Sequence, residues 1–221
     1  MRVSLAEELQ GRVLAVWFCL DGLHHREHPD FRGEVQREAD RLCAAYGGLS
    51  PAEIPLFAPA RVLYKATGMD PTRHRPSSEA LLRRFLLGKE LYRLDPVVDT
   101  GNLFSLAHGL PLGLYDRDRI VGDVELRLGR PGEQFPGIRK APVNVGGRLC
   151  LADAEGAFGS PSSDSARSAI DASTVRGLAL LYAPGAYAPA RLAAEAATLA
   201  AAFARWNGAT ATAPQLIGVG D

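Results

Sequence analysis

The uninterrupted apolar run Val13-Leu14-Ala15-Val16-Trp17-Phe18-Cys19-Leu20 constrains this chain more than any other stretch. Eight residues fall far short of the roughly 20 that a bilayer-spanning helix needs. Glu7, Glu8 and Arg12 before the run, and Asp21-Gly22 after it, are the wrong flanks for a secretory leader. The run therefore reads as a buried strand, and RGLALLYAPG at 176–185 reads as a second one. A chain of 221 residues is long enough to bury the core that such strands require. Cys19, Cys43 and Cys150 are scattered and form no C-x-x-C pair. That argues against a disulfide framework or a zinc knuckle and for a reducing compartment, so a cytoplasmic location is expected.

Around these strands the pattern is mixed. Val35, Ala39, Leu42, Cys43 and Tyr46 recur at helical spacing and predict a helix over 31–47, stopped by Gly47-Gly48. Ser50-Pro51 reads as another helix start, but several following prolines predict short, broken elements. Ser77 is the expected N-cap of a helix with Glu79 in its first turn, an apolar stripe of Leu81, Leu82, Phe85 and Leu86, and a stop at Gly88. Residues 96–116 mix short apolar runs with Gly and Pro and suggest irregular structure. Val124, Leu126 and Leu128 alternate as in a half-buried strand, and 146–153 forms another short one. The last helix starts near Pro189 and stops at Asn207-Gly208. Helices at both ends with strands between them predict one mixed α+β domain over 1–221. The irregular strand spacing and the lack of a G-x-G-x-x-G argue against a Rossmann series.

Charge is informative only in its distribution. Lys and Arg total 25, as do Asp and Glu, so nothing attracts nucleic acid in general, and DNA is not an expected partner. Residues 61–93, however, hold eight basic side chains against three acidic ones. Arg73, His74, Arg75, Arg83, Arg84 and Lys89 form either a platform for a polyanion or a solvated face. His24, His25 and His28 lie near Asp21 and Asp30 but lack an evident further ligand, so a polar loop is preferred to a metal site. The stretch AFGSPSSDSARSAI, 157–170, offers Ser160, Ser162, Ser163, Asp164, Ser165 and Arg167 around a Gly-Ser-Pro turn. Such a loop lends hydroxyls and N–H groups to an anionic or ester ligand, or it bonds only to itself. There is no G-x-S-x-G elbow for a serine hydrolase. Asp99, Asn102 and Ser105 stand among apolar neighbours, where an unpaired polar group costs about 1–3 kcal/mol. They either satisfy local backbone or line a pocket.

Three stretches, RHRPSSEALLRRFLLG, LDPVVDTGNLFSLAHGLPLGLYDRDRIVGDVELRLGRPGEQF and FGSPSSDSARSAI, together resemble the B3/B4 domain of the phenylalanyl-tRNA synthetase β subunit. The resemblance covers roughly residues 60–180 and is closest to free-standing proteins made of this domain alone. It implies a three-layer ββα fold with an unusual β-sandwich. It also implies a pocket for an aminoacyl-adenosine end, because in the synthetase this domain hydrolyses tyrosine mischarged onto the phenylalanine tRNA. A second, hydrolytic site supplies discrimination that one binding pocket cannot. Asn102 falls on the family's asparagine beside that pocket. Gly101 stands where bacterial synthetases have threonine, Gly113 where many have histidine, and FGSPSSDS carries no glutamate for a tyrosine hydroxyl.

The resulting expectation is a single pocket made by Asp99, Asn102, Ser105, Gly113, Ser160, Ser163, Asp164 and Ser165. Acceptor-end phosphates of a tRNA or aminoacyl-tRNA would sit against Arg73, Arg75, Arg83, Arg84 and Lys89. The expected function is tRNA binding with trans-editing deacylation of misacylated tRNA. The alternative is a non-catalytic module for an amino acid or other small metabolite. No cofactor, metal or membrane is expected. Class II synthetase motifs are absent, so aminoacylation by this chain alone is not expected.

Overall fold

In the computed structural model, which describes residues 1–50, 52–90, 93–139 and 141–219, the two long apolar runs are the two longest strands, paired with each other. The chain order begins β1 (Val3–Leu5), β2 (Val13–Asp21), α1 (Phe31–Tyr46), α2 (Ala58–Ala66), α3 (Ser77–Leu86) and α4 (Pro96–His108). Then come β3 (Leu112–Asp116), β4 (Val124–Leu128), β5 (Gln134–Phe135), β6 (Val143–Asn144), β7 (Leu149–Asp153), β8 (Gly156–Ser160) and β9 (Ser163–Asp164). Last are β10 (Arg176–Pro184), α5 (Pro189–Asn207), β11 (Thr210–Ala211) and β12 (Gln215–Ile217).

One sheet runs β11-β2-β10-β3, with β12 also on β2; the other runs β1-β4-β7-β8-β9; β5 and β6 form a small hairpin. β2 and β10 are antiparallel from Val13↔Pro184 to Asp21↔Arg176. The inward face of this pair (Ala15, Trp17, Leu178, Leu180) packs on Leu126, Leu151 and Phe158 of the second sheet. Its outward face (Val16, Phe18, Ala179, Leu181) packs on Val97 and Phe104 of α4 and Leu199 and Phe203 of α5. The order of layers is therefore sheet, sheet, helices. A strand covered on both sides has no solvated position, which is why the sequence shows a solid apolar run instead of an alternation.

The helix layer departs from expectation in three places. Residues 96–108 are not irregular but form α4. Asp95 caps it by accepting from the Val97 N–H at 2.9 Å, Pro96 occupies the first turn, and Gly109 ends it in the left-handed region at φ 72°. Val97, Val98, Thr100 and Gly101 are weak helix formers. Packing overrides them: a Cβ on Gly101 would lie 2.7 Å from the Leu112 side chain, so the glycine lets helix and strand close up. Ser77 is the first helical residue of α3, not its cap; Pro76 holds that position without a side-chain bond. The Ser50-Pro51 helix start is not seen: Pro51 lies outside the described residues, and α2 begins at Ala58 after a 3-10 turn over Pro55–Phe57. The predicted stripe of α3 does pack, with Leu82 buried against Leu42, Phe57 and Leu106. Among the described residues no helix is long and apolar enough to cross a membrane.

Candidate functional site

The serine-rich stretch is a hairpin, with β8 and β9 paired at Gly159↔Asp164 and Ser160↔Ser163. Ser160 Oγ accepts from the Ser163 N–H at 3.1 Å, and Ser163 Oγ donates to the Ser162 carbonyl at 2.7 Å. Buried Ser165 accepts from the Arg167 N–H at 3.2 Å. Much of the hydroxyl capacity thus shapes the turn itself. Arg167 anchors the hairpin by a two-pronged contact to Asp153 at 2.8 and 2.9 Å. The Asp153 side chain is fully buried and also accepts from the N–H groups of Val121 and Glu155. Burial by itself would raise this carboxyl, but the guanidinium and the two N–H donors outweigh it and hold it below the usual range.

Beside the hairpin lies a cavity of about 300 Å³. Ser160, Ser162 and Ser163 form one wall, His74 of the basic segment another, and Asn144 and Arg148 a third. Met69 and Leu149 add apolar surface. Two stretches 86 residues apart, counted from His74 to Ser160, thus meet at one opening. Sequence reasoning missed Asn144 and Arg148; the only signal was the turn chemistry of Asn144-Val145-Gly146-Gly147.

The basic segment divides in two. Arg75 and Arg61 reach the buried carboxylate of Glu79 at 3.3 and 3.5 Å, so Arg75 has a structural ion pair. Arg84 donates to the Glu90 carbonyl. Arg73, Arg83 and Lys89 are exposed, Arg73 with only a loose contact of 3.7 Å to Asp70.

The residues expected to share one pocket are not gathered in either of two cavities. Asp99 lines a different cavity, of about 310 Å³, in the helix layer, which shares no lining residue with the hairpin cavity among the described residues. The β2–β10 sheet supports α4 on one face and the second sheet on the other, which is why Asp99 and the serines open to different cavities. Asn102 is half-buried on α4, and Ser105 is buried, donating to the Leu110 carbonyl at 2.7 Å to close the helix end. Neither lines either cavity, nor do Gly113, Asp164 or Ser165. Gly113 faces the sandwich interior, where a Cβ would lie 2.5 Å from the Tyr115 hydroxyl. Gly159 approaches the same hydroxyl, with a Cβ there at 2.3 Å. The Tyr115 phenol thus fills the space between two glycines, 3.2 Å from the Tyr182 hydroxyl. Burial, then the neighbouring Tyr182 and Asp164, push its pKa well up.

His25 takes Asp95 at 2.7 Å and the Thr174 carbonyl at 2.8 Å, and His28 meets Trp206 edge-on. Among the described residues no three His, Cys, Asp or Glu side chains are grouped to hold a metal ion.

The model of the B3/4 domain matches residues 60–183. Phenylalanine–tRNA ligase beta subunits are similar over part of the chain. That of Bartonella henselae is 38% identical over 64 residues, which is 28% of this chain and 8% of that protein. That of Thermobifida fusca is 36% identical over 94 residues, 42% of this chain and 11% of that protein. The matched segments are thus about a tenth of the curated relatives' own length. A crystal structure of an N-terminal fragment of the phenylalanyl-tRNA synthetase beta subunit from Pyrococcus horikoshii superposes with a TM-score of 0.50 at 12% identity. It covers 98% of this chain and 50% of that one, and the likeness is one of fold.

Proposed function

Because this chain belongs to the B3/4 domain family, we propose that it holds the acceptor end of a tRNA at the hairpin cavity and hydrolyses a misplaced aminoacyl ester there. The observation that carries this reading is the shared opening: His74 from the basic segment and Ser160, Ser162 and Ser163 line one cavity with Arg148. Exposed Arg73 stands next to His74 in the chain, so phosphates have cations at the rim. Hydroxyls and the Asn144 amide offer neutral donors to a ribose or an ester carbonyl. In the hydrolytic step a water oxygen bonds to the ester carbon, the bond to the ribose oxygen breaks, and a water proton passes to that oxygen. The vicinal ribose hydroxyl of the substrate relays the proton, and donors in the cavity hold the developing oxyanion. A second reading, binding without hydrolysis, is favoured by the Tyr115 phenol, which leaves no room for a side chain at Gly113.

Filter retention of tRNA across salt concentrations tests the binding. Each neutralised phosphate contributes about 0.7–0.9 to the slope of log affinity against log salt. Arg73→Glu combined with Arg148→Glu is expected to lower that slope by about 2. Retention that ignores both salt and these substitutions refutes the proposal. A panel of mischarged tRNAs separates the two readings: lifetimes equal to those in buffer, with binding intact, leave the non-catalytic one.

A further inference from the structure

The helix-layer cavity is unconnected with the tRNA reading, and its walls have a different chemistry. Phe31, Phe85 and Trp206 give its lining aromatic surface. Trp206 is locked in place: the Phe31 ring meets it edge-on at 5.4 Å, and the Arg205 guanidinium covers it at 4.1 Å. Carboxylates line the cavity as well. Glu27 is engaged by Arg32, and Asp95 by His25 and the cap of α4. Asp99 accepts the Leu94 N–H at a long 3.3 Å. Burial, then the neighbouring charges of Asp95 and Glu27, push its carboxyl up to about 6, a cost that a cation alongside would relieve. The described lining has four carboxylates (Glu27, Glu90, Asp95, Asp99) against two arginines (Arg32, Arg93), so the local field favours a positive ligand. A volume of about 310 Å³ is roughly twice that of the ~150 Å³ cavity known to accept benzene.

We infer that this cavity is a second, separate site, which binds a small cationic amine with an aromatic body, the ammonium on Asp99 and the ring against Trp206, Phe31 and Phe85. The aromatic wall supplies apolar area, and the carboxylate supplies the one strong directional contact, the division usual in small-ligand sites. The ammonium–carboxylate bond forms in a half-buried place, where water competes less than at the surface.

The test is calorimetric titration of the full chain with phenethylamine, 3-phenylpropionate and methylammonium, with tryptophan fluorescence as a local readout. Trp206 is one of only two tryptophans, and the other, Trp17, lies in the sandwich core. Phenethylamine is expected to bind and to change the fluorescence; the anion of similar size and the amine without a ring are expected to do neither. Asp99→Asn keeps an acceptor for the Leu94 N–H but loses the charge, and is expected to weaken the amine roughly tenfold to a hundredfold. Three results each overturn the inference: no binding of phenethylamine at millimolar concentration, equal binding of 3-phenylpropionate, or unchanged affinity in a folded Asp99→Asn protein. The ligand comparison on the unsubstituted chain decides the matter even if the variant fails to fold.

Discussion

Replacing Arg167 by Met keeps most of the side-chain volume and removes the guanidinium that clamps the serine hairpin to β7. Asp153 is then left wholly buried, with only the N–H groups of Val121 and Glu155 in place of four contacts. Removing one partner of a buried pair costs about 3–5 kcal/mol, because the remaining charge has lost its compensation. Arg167 is itself 28% exposed, and Asp153 keeps two donors, so the expected cost is lower, about 2–3 kcal/mol. In urea, with a slope of about 2–3 kcal/mol per molar, the midpoint should fall by roughly 1 M. The companion measurement is a cycle with Asp153→Asn. The two singles and the double should show a coupling of about 1.5–3 kcal/mol, as groups in direct contact do. A midpoint within about 0.2 M of the unsubstituted chain, or an Arg167→Met cost that is the same with Asn at 153, would refute the claim that this pair holds the hairpin. If the claim holds, tRNA retention should weaken with the hairpin, although Arg167 is not part of the cavity wall.

Glu133 gives the fold an acid limit. The Arg127 guanidinium, bonded at 2.7 Å to each carboxylate oxygen, is the main cause that lowers Glu133 to about 2 from an ordinary 4.5. The folded pKa lies below the unfolded one, so this stabilisation is full above about pH 4.5 and is lost as pH falls towards 2, on the order of 2–3 kcal/mol. Denaturation series between pH 5 and 2 should show a flatter acid slope for Arg127→Met, and an unchanged slope contradicts the assignment. Gly109→Ala should cost about 2–3 kcal/mol, since φ is 72° and the new Cβ would lie 2.2 Å from the Leu56 carbonyl oxygen. In a thermal scan that is a fall of roughly 5–10 °C, and a shift under about 2 °C would show that the α4 turn yields.

The elements that could be read from the sequence were those whose pattern is set by what covers them. β2 and β10 are solid apolar runs because both faces are buried, and α1 and α5 show one-sided stripes because only one face is. α4 escaped because its helicity comes from packing, with Val97, Val98 and Gly101 pulling the other way. Its boundary signals were nevertheless present, Asp95-Pro96 at the start and Gly109 at the stop. In the site, the hydroxyl cluster and the basic segment stood out by composition. That they share a cavity depends on how the chain between 141 and 149 passes them, which no local signal encodes. That Asp99 and the serines open to different cavities was hidden for the same reason: sequence order says nothing about which face of a sheet a segment will cover.

The pairing of Trp17 with Leu180 has a consequence for how the protein is made. β2 leaves the ribosome well before its partner β10, which is completed only at Pro184, so eight greasy residues wait without their mate while the whole intervening stretch is made. Closing that distance is entropically demanding, which makes the final collapse slow and the nascent chain a natural client for holding chaperones.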